Sequence, residues 1–387
     1  IFQARPDWHA ISLPSLPTHK VNNFELYSSA VQSLKEYALC LLEAENHLYA
    51  SKNLSPSSSQ RFLSTIMISG TLSDKISALT LVIQESPAHT TKSFESLVGL
   101  AKKRSRGQAI TALAALKDLL GTGAVLPSNR RLRTFANQPG LLGTLSEFSI
   151  YNWNIGESLP GNISKAHLIF WAYEDWLKQS YFDVLKILEI WCSDEVEYAR
   201  SRAVTYVFEL LRDKPEQESN LLRLLVNKLG DASKKIASKT SYLILQLQAS
   251  HPLMKPIIIE SIESEILLRP GQSLHAKYYA ITTLNQTILY LKENELAKKL
   301  LKIYFELFVA LLKKSRTSQS TEIPVASLSN MRGMQGNSNL SRKKSKAQAS
   351  CKQQPKNTNS EVDEKLISAI LTGINRAFPF SKSDDNS

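Results

Sequence analysis

Apolar residues recur at helical spacing in blocks that open about forty residues apart, a period that few architectures share. One block opens near Asp194 and carries Val196, Ala199, Ala203, Tyr206 and Leu210. A second opens near Asp231 with Ala232, Ile236, Leu243 and Leu247, and a third near Ser273 with Leu274, Tyr278, Ile281 and Ile288. The starts are 37 and 42 residues apart, and a further apolar segment lies between each pair, at 221–229 and 257–268. Two such helices cannot bury their apolar faces alone, so neighbouring pairs stack. The period predicts an all-α, HEAT- or armadillo-like α-solenoid over residues 22–314. An irregular helical bundle is the alternative, but bundles seldom keep one period through three units.

The rest of the chain is written in the same style. Thr71 followed by Asp74 makes a capping-box start, and Leu72, Ile76, Leu79 and Ile83 share a helical face that Leu81 and Val82 widen. Pro87 ends that helix. Ala109, Ala112, Leu113, Leu116 and Leu120 form the next stripe, with Gly121 as its C-terminal cap. Leu26, Ala30, Leu34, Ala38, Leu41, Leu42 and Leu48 predict one long helix over 23–51. Residues 1–21 hold Pro6, Pro14 and Pro17 and no helical period, so they read as an extended arm with Phe2 and Trp8 as docking anchors. Residues 122–163 form an irregular insertion rich in Pro and Gly, with Phe148 and Trp153 placed to pack back onto the helices. Residues 315–360 carry eight Lys/Arg, one acid and almost no large apolar side chain. A disordered basic linker is expected there, because such a segment cannot offset its ordering entropy by burial. Val362, Leu366, Ala369, Ile370, Ile374 and Phe378 predict a last helix.

Composition narrows the function classes. Glycine numbers only 14 of 387 residues and strand-like alternation is rare, as in all-α proteins. No apolar run approaches the ~18 residues of a membrane span. Cys40, Cys192 and Cys351 form no CxxC pair and have no His at metal spacing, which argues against a zinc site and fits a reducing compartment. Phosphate-loop, nucleophile-elbow, zinc-protease and dinucleotide motifs are missing, and the seven histidines are scattered singly. Neither an enzyme nor a cofactor is expected. Adjacent acids such as Glu174 and Asp175 read as polar helix faces. The chain begins with Ile, as expected of a portion of a longer protein, so a missing targeting peptide carries no meaning.

The net charge of +12 favours a polyanionic partner, nucleic acid before a membrane surface. Lys102, Lys103 and Arg104 end one helix, where cations suit the macrodipole. Arg106 opens the next helix, where its charge opposes the dipole and an oxyanion would reverse the penalty. Arg130, Arg131 and Arg133 follow in a loop. These residues mark either a phosphate-contacting edge or a solvated face. Lys235 with Lys239, and Lys298 with Lys299 and Lys302, read as solvated faces that could also track a backbone. Arg342, Lys343, Lys344 and Lys346 look like a nuclear-localisation or flexible RNA-contacting run. Aromatics are not interleaved with these cations, so contact with phosphate and shape is expected rather than base readout.

Several segments carry a family resemblance. SGTLSDKISALTLVIQESP at 69–87, LVGLAKKRSRGQAITALAALKDLL at 97–120 and VDEKLISAILTGINRAFPF at 362–380 resemble the nucleolar-complex family. It is also known as the CCAAT-binding-factor or CCAAT/enhancer-binding protein zeta family, and the likeness is to its large-subunit assembly member. LPSNRRLRTF at 126–135 and FWAYEDWLKQSYFDVLKILE at 170–189 extend it over roughly residues 60–380. The resemblance implies a non-enzymatic α-solenoid of the nucleolus. It further implies a role in early assembly of the large ribosomal subunit, alongside other pre-ribosome assembly factors; no membrane partner is expected, because no lipid anchor or basic amphipathic tail is evident in the sequence. Precursor ribosomal RNA and a second nucleolar-complex protein are the implied partners, with RNA contact at Lys102–Arg106 and Arg130–Arg133. Gly107 departs from the larger residue expected after the basic knot. The family's second conserved domain is expected to begin near residue 361 and to be truncated at Ser387. Two other functions compete: a transcription factor reading CCAAT-box DNA, as the older family name suggests, and a solenoid adaptor that docks only proteins.

Overall fold

Thr71 makes the capping box that its spacing to Asp74 predicts. Its hydroxyl accepts from Asp74 N, and its own N–H donates to the Asp74 carboxylate at 3.1 Å. The computed structural model describes residues 3–17, 24–52, 65–319 and 358–381, and the helices opening at Lys165 and Leu274 also start on a serine cap, Ser164 and Ser273. The helices are α1 (Ser28–Lys52), α2 (Leu72–Glu85), α3 (Thr91–Ala101), α4 (Arg106–Leu120), α5 (Leu141–Glu147) and α6 (Lys165–Cys192). After them come α7 (Glu197–Asp213), α8 (Glu218–Asn227), α9 (Lys234–Ser250), α10 (Lys255–Ile262), α11 (Leu274–Gln286), α12 (Asn294–Gln319) and α13 (Thr358–Ala377). There is no strand among the described residues, and the fold is all-helical. Helices α7, α9 and α11 start at 197, 234 and 274, within three residues of the places that the apolar period marks. On α2 the buried face is narrower than the sequence suggests: Ile76, Leu79 and Ile83 are buried but Leu81 is exposed.

The chain divides into two compact units, residues 1–261 and 262–387. In the first, α4 packs on α7 and α7 on α9, while α3 packs on α6 and α6 on α8. Partners within a pair also touch: α3 with α4, α6 with α7, α8 with α9. Two rows of helices thus run side by side. Their joint core is filled by residues such as Leu116, Leu120, Leu188, Val207, Leu210, Leu225 and Ile244. The first half of the long helix α6 is buried on nearly every side, and α1 lies along the helix.

The N-terminal arm is bound to this unit. Trp8 is fully buried against Phe170 and Tyr173 of α6, and its indole N–H donates to Val125 O at 2.8 Å. His167 reads as a capping residue. Its Nδ1 accepts from Ser164 N, which leaves Nε2 to donate to Pro14 O at 3.0 Å and hold the arm. Leu16 lies so close to Gly140, whose φ is +85°, that any side chain there would collide with it. Phe2 lies outside the described residues. In the irregular insertion Trp153 packs back as expected, whereas Phe148 is exposed.

In the second unit α13 packs on both α11 and α12 through buried Leu366 and Ile370. The last helix therefore packs within the same compact unit as residues 262–319. Helix α12 runs on to Gln319, five residues into the expected linker. The remainder of that linker, 320–357, lies outside the described residues.

Candidate nucleic-acid interface

Helix α3 ends where Ala101, fully buried, gives its carbonyl to the Trp191 indole at 3.2 Å. That bond fixes the following turn against α6. Lys102 keeps helical angles, Lys103 N donates to Leu100 O at 3.2 Å, and Ser105 is extended and leads into α4. The chain therefore turns tightly with Ala101 inward and its cations outward. Lys102, Lys103 and Arg104 are exposed, and they make no side-chain hydrogen bond or ion pair with any described residue.

Arg106 differs from its neighbours. The anion that its position calls for comes from the protein: Nε donates to both Asp194 oxygens, at 3.1 and 3.3 Å, and Glu195 lies 4.0 Å from the guanidinium. Asp194 sits in the turn between α6 and α7 and also accepts Val196 N at 2.7 Å. Burial works against ionisation of this carboxyl. The bonds from Val196 and Arg106 outweigh it and hold the group below the ordinary Asp range. Between turn and helix lies a cleft of about 400 Å³ lined by Lys102, Lys103, Arg104, Arg106, Ile187, Ile190, Trp191 and Asp194.

The second expected cluster is largely spoken for. Arg130 pairs with Glu174, a fully buried carboxylate that also accepts Arg133 N at 3.0 Å and Gln138 Nε2 at 2.9 Å. Arg131 pairs with Glu218 and donates to Pro215 O at 3.2 Å. Glu216 takes Leu132 N at 2.7 Å and Lys178 Nζ at 2.9 Å, and Asp175 takes Phe135 N at 3.1 Å and Lys35 Nζ at 2.9 Å. Three carboxylates thus clamp the backbone of the loop. Arg130 and Arg131 hold it in place, and only the Arg133 side chain is left exposed without a partner among the described residues.

Glu174 and Asp175 are accordingly not a polar face. The signal for this lay in FWAYEDWL, where large apolar residues on all sides leave no solvated stripe for a carboxylate. Asp194 and Glu216 could not have been paired with their partners from spacing, since the contacts span 88 and 84 residues.

Other expected cations also divide. Lys239 donates to Ser201 O and Oγ at 3.1 and 3.0 Å, and burial lowers its pKa, so it is an internal group. Lys235 is exposed, while Lys298 pairs with Glu295 at 3.0 Å. Arg342, Lys343, Lys344 and Lys346 lie outside the described residues. The described residues contain no cluster of metal-ligating side chains and no helix long and apolar enough to cross a membrane. Cys192 is buried, which pushes its thiol up to about 12.

No family model matches the chain. Individual relatives do, over nearly all of it. Ribosome biogenesis protein NOC1 of Chaetomium thermophilum is 53% identical over 386 residues, 100% of this chain and 36% of that protein. Human CCAAT/enhancer-binding protein zeta is 34% identical over 92% of this chain and 29% of its own length. The chain belongs to the nucleolar-complex, or CCAAT-binding-factor, family. Another member, SLOW WALKER 2 of Arabidopsis thaliana, is 32% identical over 82% of this chain and 28% of its own length. The chain thus spans about a third of the length of these family members.

Proposed function

We propose that the chain is a non-catalytic helical scaffold that acts in the nucleolus during assembly of the large ribosomal subunit. It holds precursor ribosomal RNA on a cationic turn and a second nucleolar-complex protein, with other assembly factors, on its apolar surfaces. Similarity along the whole chain to a protein named for ribosome biogenesis supports the process. Similarity to nucleolar complex protein 1 of Drosophila melanogaster, 28% identical over 74% of this chain, supports the compartment. The paired rows of helices in residues 1–261 support a HEAT-like solenoid, because each pair adds one layer to the same two rows.

The observation that carries the RNA contact is the contrast among the cations. Arg106, Arg130 and Arg131 are neutralised by carboxylates, while Lys102, Lys103 and Arg104 stand side by side without one. An unpaired cation releases counterions when it meets phosphate, whereas a paired one must first give up its acid. Arg133 adds one free charge, and the run at Arg342, Lys343, Lys344 and Lys346 adds a further salt-sensitive contact.

RNA–protein crosslinking in cells tests this. Crosslinks are expected in precursor ribosomal RNA, and the Lys102→Glu, Lys103→Glu, Arg104→Glu variant is expected to lose most of them while remaining folded by circular dichroism. Occupancy of CCAAT-box promoters with no ribosomal RNA crosslinks would sink the proposal in favour of a DNA-binding factor. Unchanged crosslinking in the triple variant would remove the turn from the interface.

A further inference from the structure

The cleft beside the cationic turn is more than a charged surface. On one side stand Lys102, Lys103 and Arg104, without side-chain partners among the described residues. On the other is an aliphatic wall of Ile187 and Ile190, the latter 70% exposed on the outside of α6. An exposed isoleucine beside cations gives a base an apolar contact in the same space where the cations meet phosphate. The Arg106 guanidinium lines the same space, half exposed, with its orientation set by the two bonds from Nε to Asp194. A fixed guanidinium plane offers a flat face on which an unstacked base can rest. Asp194 lines the cleft as well, and a carboxylate with two oxygens has lone pairs left for a base N–H after accepting from Arg106 and Val196.

We infer that this cleft receives a single unpaired nucleotide of RNA, its base between the Arg106 plane and Ile190 and its flanking phosphates on Lys102, Lys103 and Arg104. The inference rests on the proposed RNA contact and refines it: the turn engages looped or single-stranded RNA, not duplex. A cleft of about 400 Å³ is of the order of one nucleotide. A duplex keeps its bases stacked inside and would meet only the cations at the rim. Arg106 thereby changes role, from the phosphate ligand that its place at a helix start suggests to a positioned stacking plane.

Binding of a 5′-labelled, mixed-sequence single-stranded RNA and of the corresponding duplex to the full chain, by fluorescence anisotropy over a range of salt, tests the inference. Ile190→Ser changes an exposed side chain without altering charge, and Arg106→Lys keeps the charge but removes the plane. Each is expected to weaken single-strand binding by about threefold to tenfold, as loss of part of a stacking contact does. The salt slope and duplex binding should stay as they were. The Lys102→Glu, Lys103→Glu variant is expected to weaken both RNAs and to flatten the slope. If that variant weakens both RNAs while Ile190→Ser and Arg106→Lys leave single-strand binding intact, the base-binding cleft is wrong and the phosphate contact stands. Equal affinity of the unaltered chain for both RNAs would also overturn the cleft. If neither RNA binds, the RNA contact itself fails and the cleft with it.

Discussion

Asp194 shows how one side chain can serve structure and site together. It closes the turn before α7, orients Arg106 and lines the cleft. Its folded pKa lies below the unfolded value, so between the two the unfolded chain binds more protons and stability rises with pH. The contribution is present above the ordinary carboxyl value of about 3.9 and is lost as pH falls through the folded value. Asp194→Asn is therefore expected to be less stable than the unaltered chain at neutral pH and to lose less on acidification. The measurement is urea unfolding followed by tryptophan fluorescence from pH 7 downward. All five tryptophans lie before residue 262, so the signal reports the first compact unit alone. Parallel acid slopes for the two proteins would show that Asp194 is not the titrating group.

At the level of helices, Asp194 and Asp231 do the same work one pair apart. Each accepts the N–H two residues on, from Val196 and Ser233, and each takes an arginine from the preceding layer, Arg106 and Arg200. Arg200 is the better buried. Its fork meets Asp231 at 3.1 and 3.2 Å, and a third nitrogen reaches the carbonyls of Asp194 and Glu195 at 2.8 and 2.9 Å. One guanidinium thus ties the turn before α7 to the turn before α9. Removing the arginine leaves the buried Asp231 with only Lys228, at 3.8 Å, and the Ser233 N–H, at a cost of about 3 kcal/mol. Arg200→Ala is expected to lower unfolding stability of the first unit by roughly that amount, and Arg200→Lys to recover little, since an ammonium cannot form the fork. Full recovery by lysine would mean that charge alone holds the layers.

On the scale of the whole molecule, the last helix returns to a unit that began about a hundred residues earlier. Its close approach depends on Gly373. A Cβ there would lie 2.6 Å from Tyr304 Cζ and would also overlap Asn285 Oδ1, while Asn285 Nδ2 donates to Ala369 O at 2.7 Å. Alanine would favour the isolated helix by up to about 1 kcal/mol. Overpacking against a buried tyrosine and a bonded amide costs about 1–3 kcal/mol and prevails. Gly373→Ala is thus expected to reduce hydrogen-exchange protection in α11, α12 and α13 and to leave the tryptophan transition of the first unit unchanged. Greater protection in α13 would show that the interface has room to spare.

Local chemistry written in the sequence placed the helices, their capping box and their period of about forty residues, because apolar spacing and capping act within a few residues of chain. The segments quoted from 69–380 carried the family. Sequence also identified the basic knots, but not what they do. Which cations stay free was decided by carboxylates 44 to 88 residues away, at Glu174, Glu218 and Asp194, brought in by the stacking of layers. The surface on which Trp8 docks, the buried pair Glu174–Asp175 and the return of α13 to α11 and α12 belong to the same class. Charge neutralisation and close packing depend on distance in space, and only the tertiary structure sets that distance.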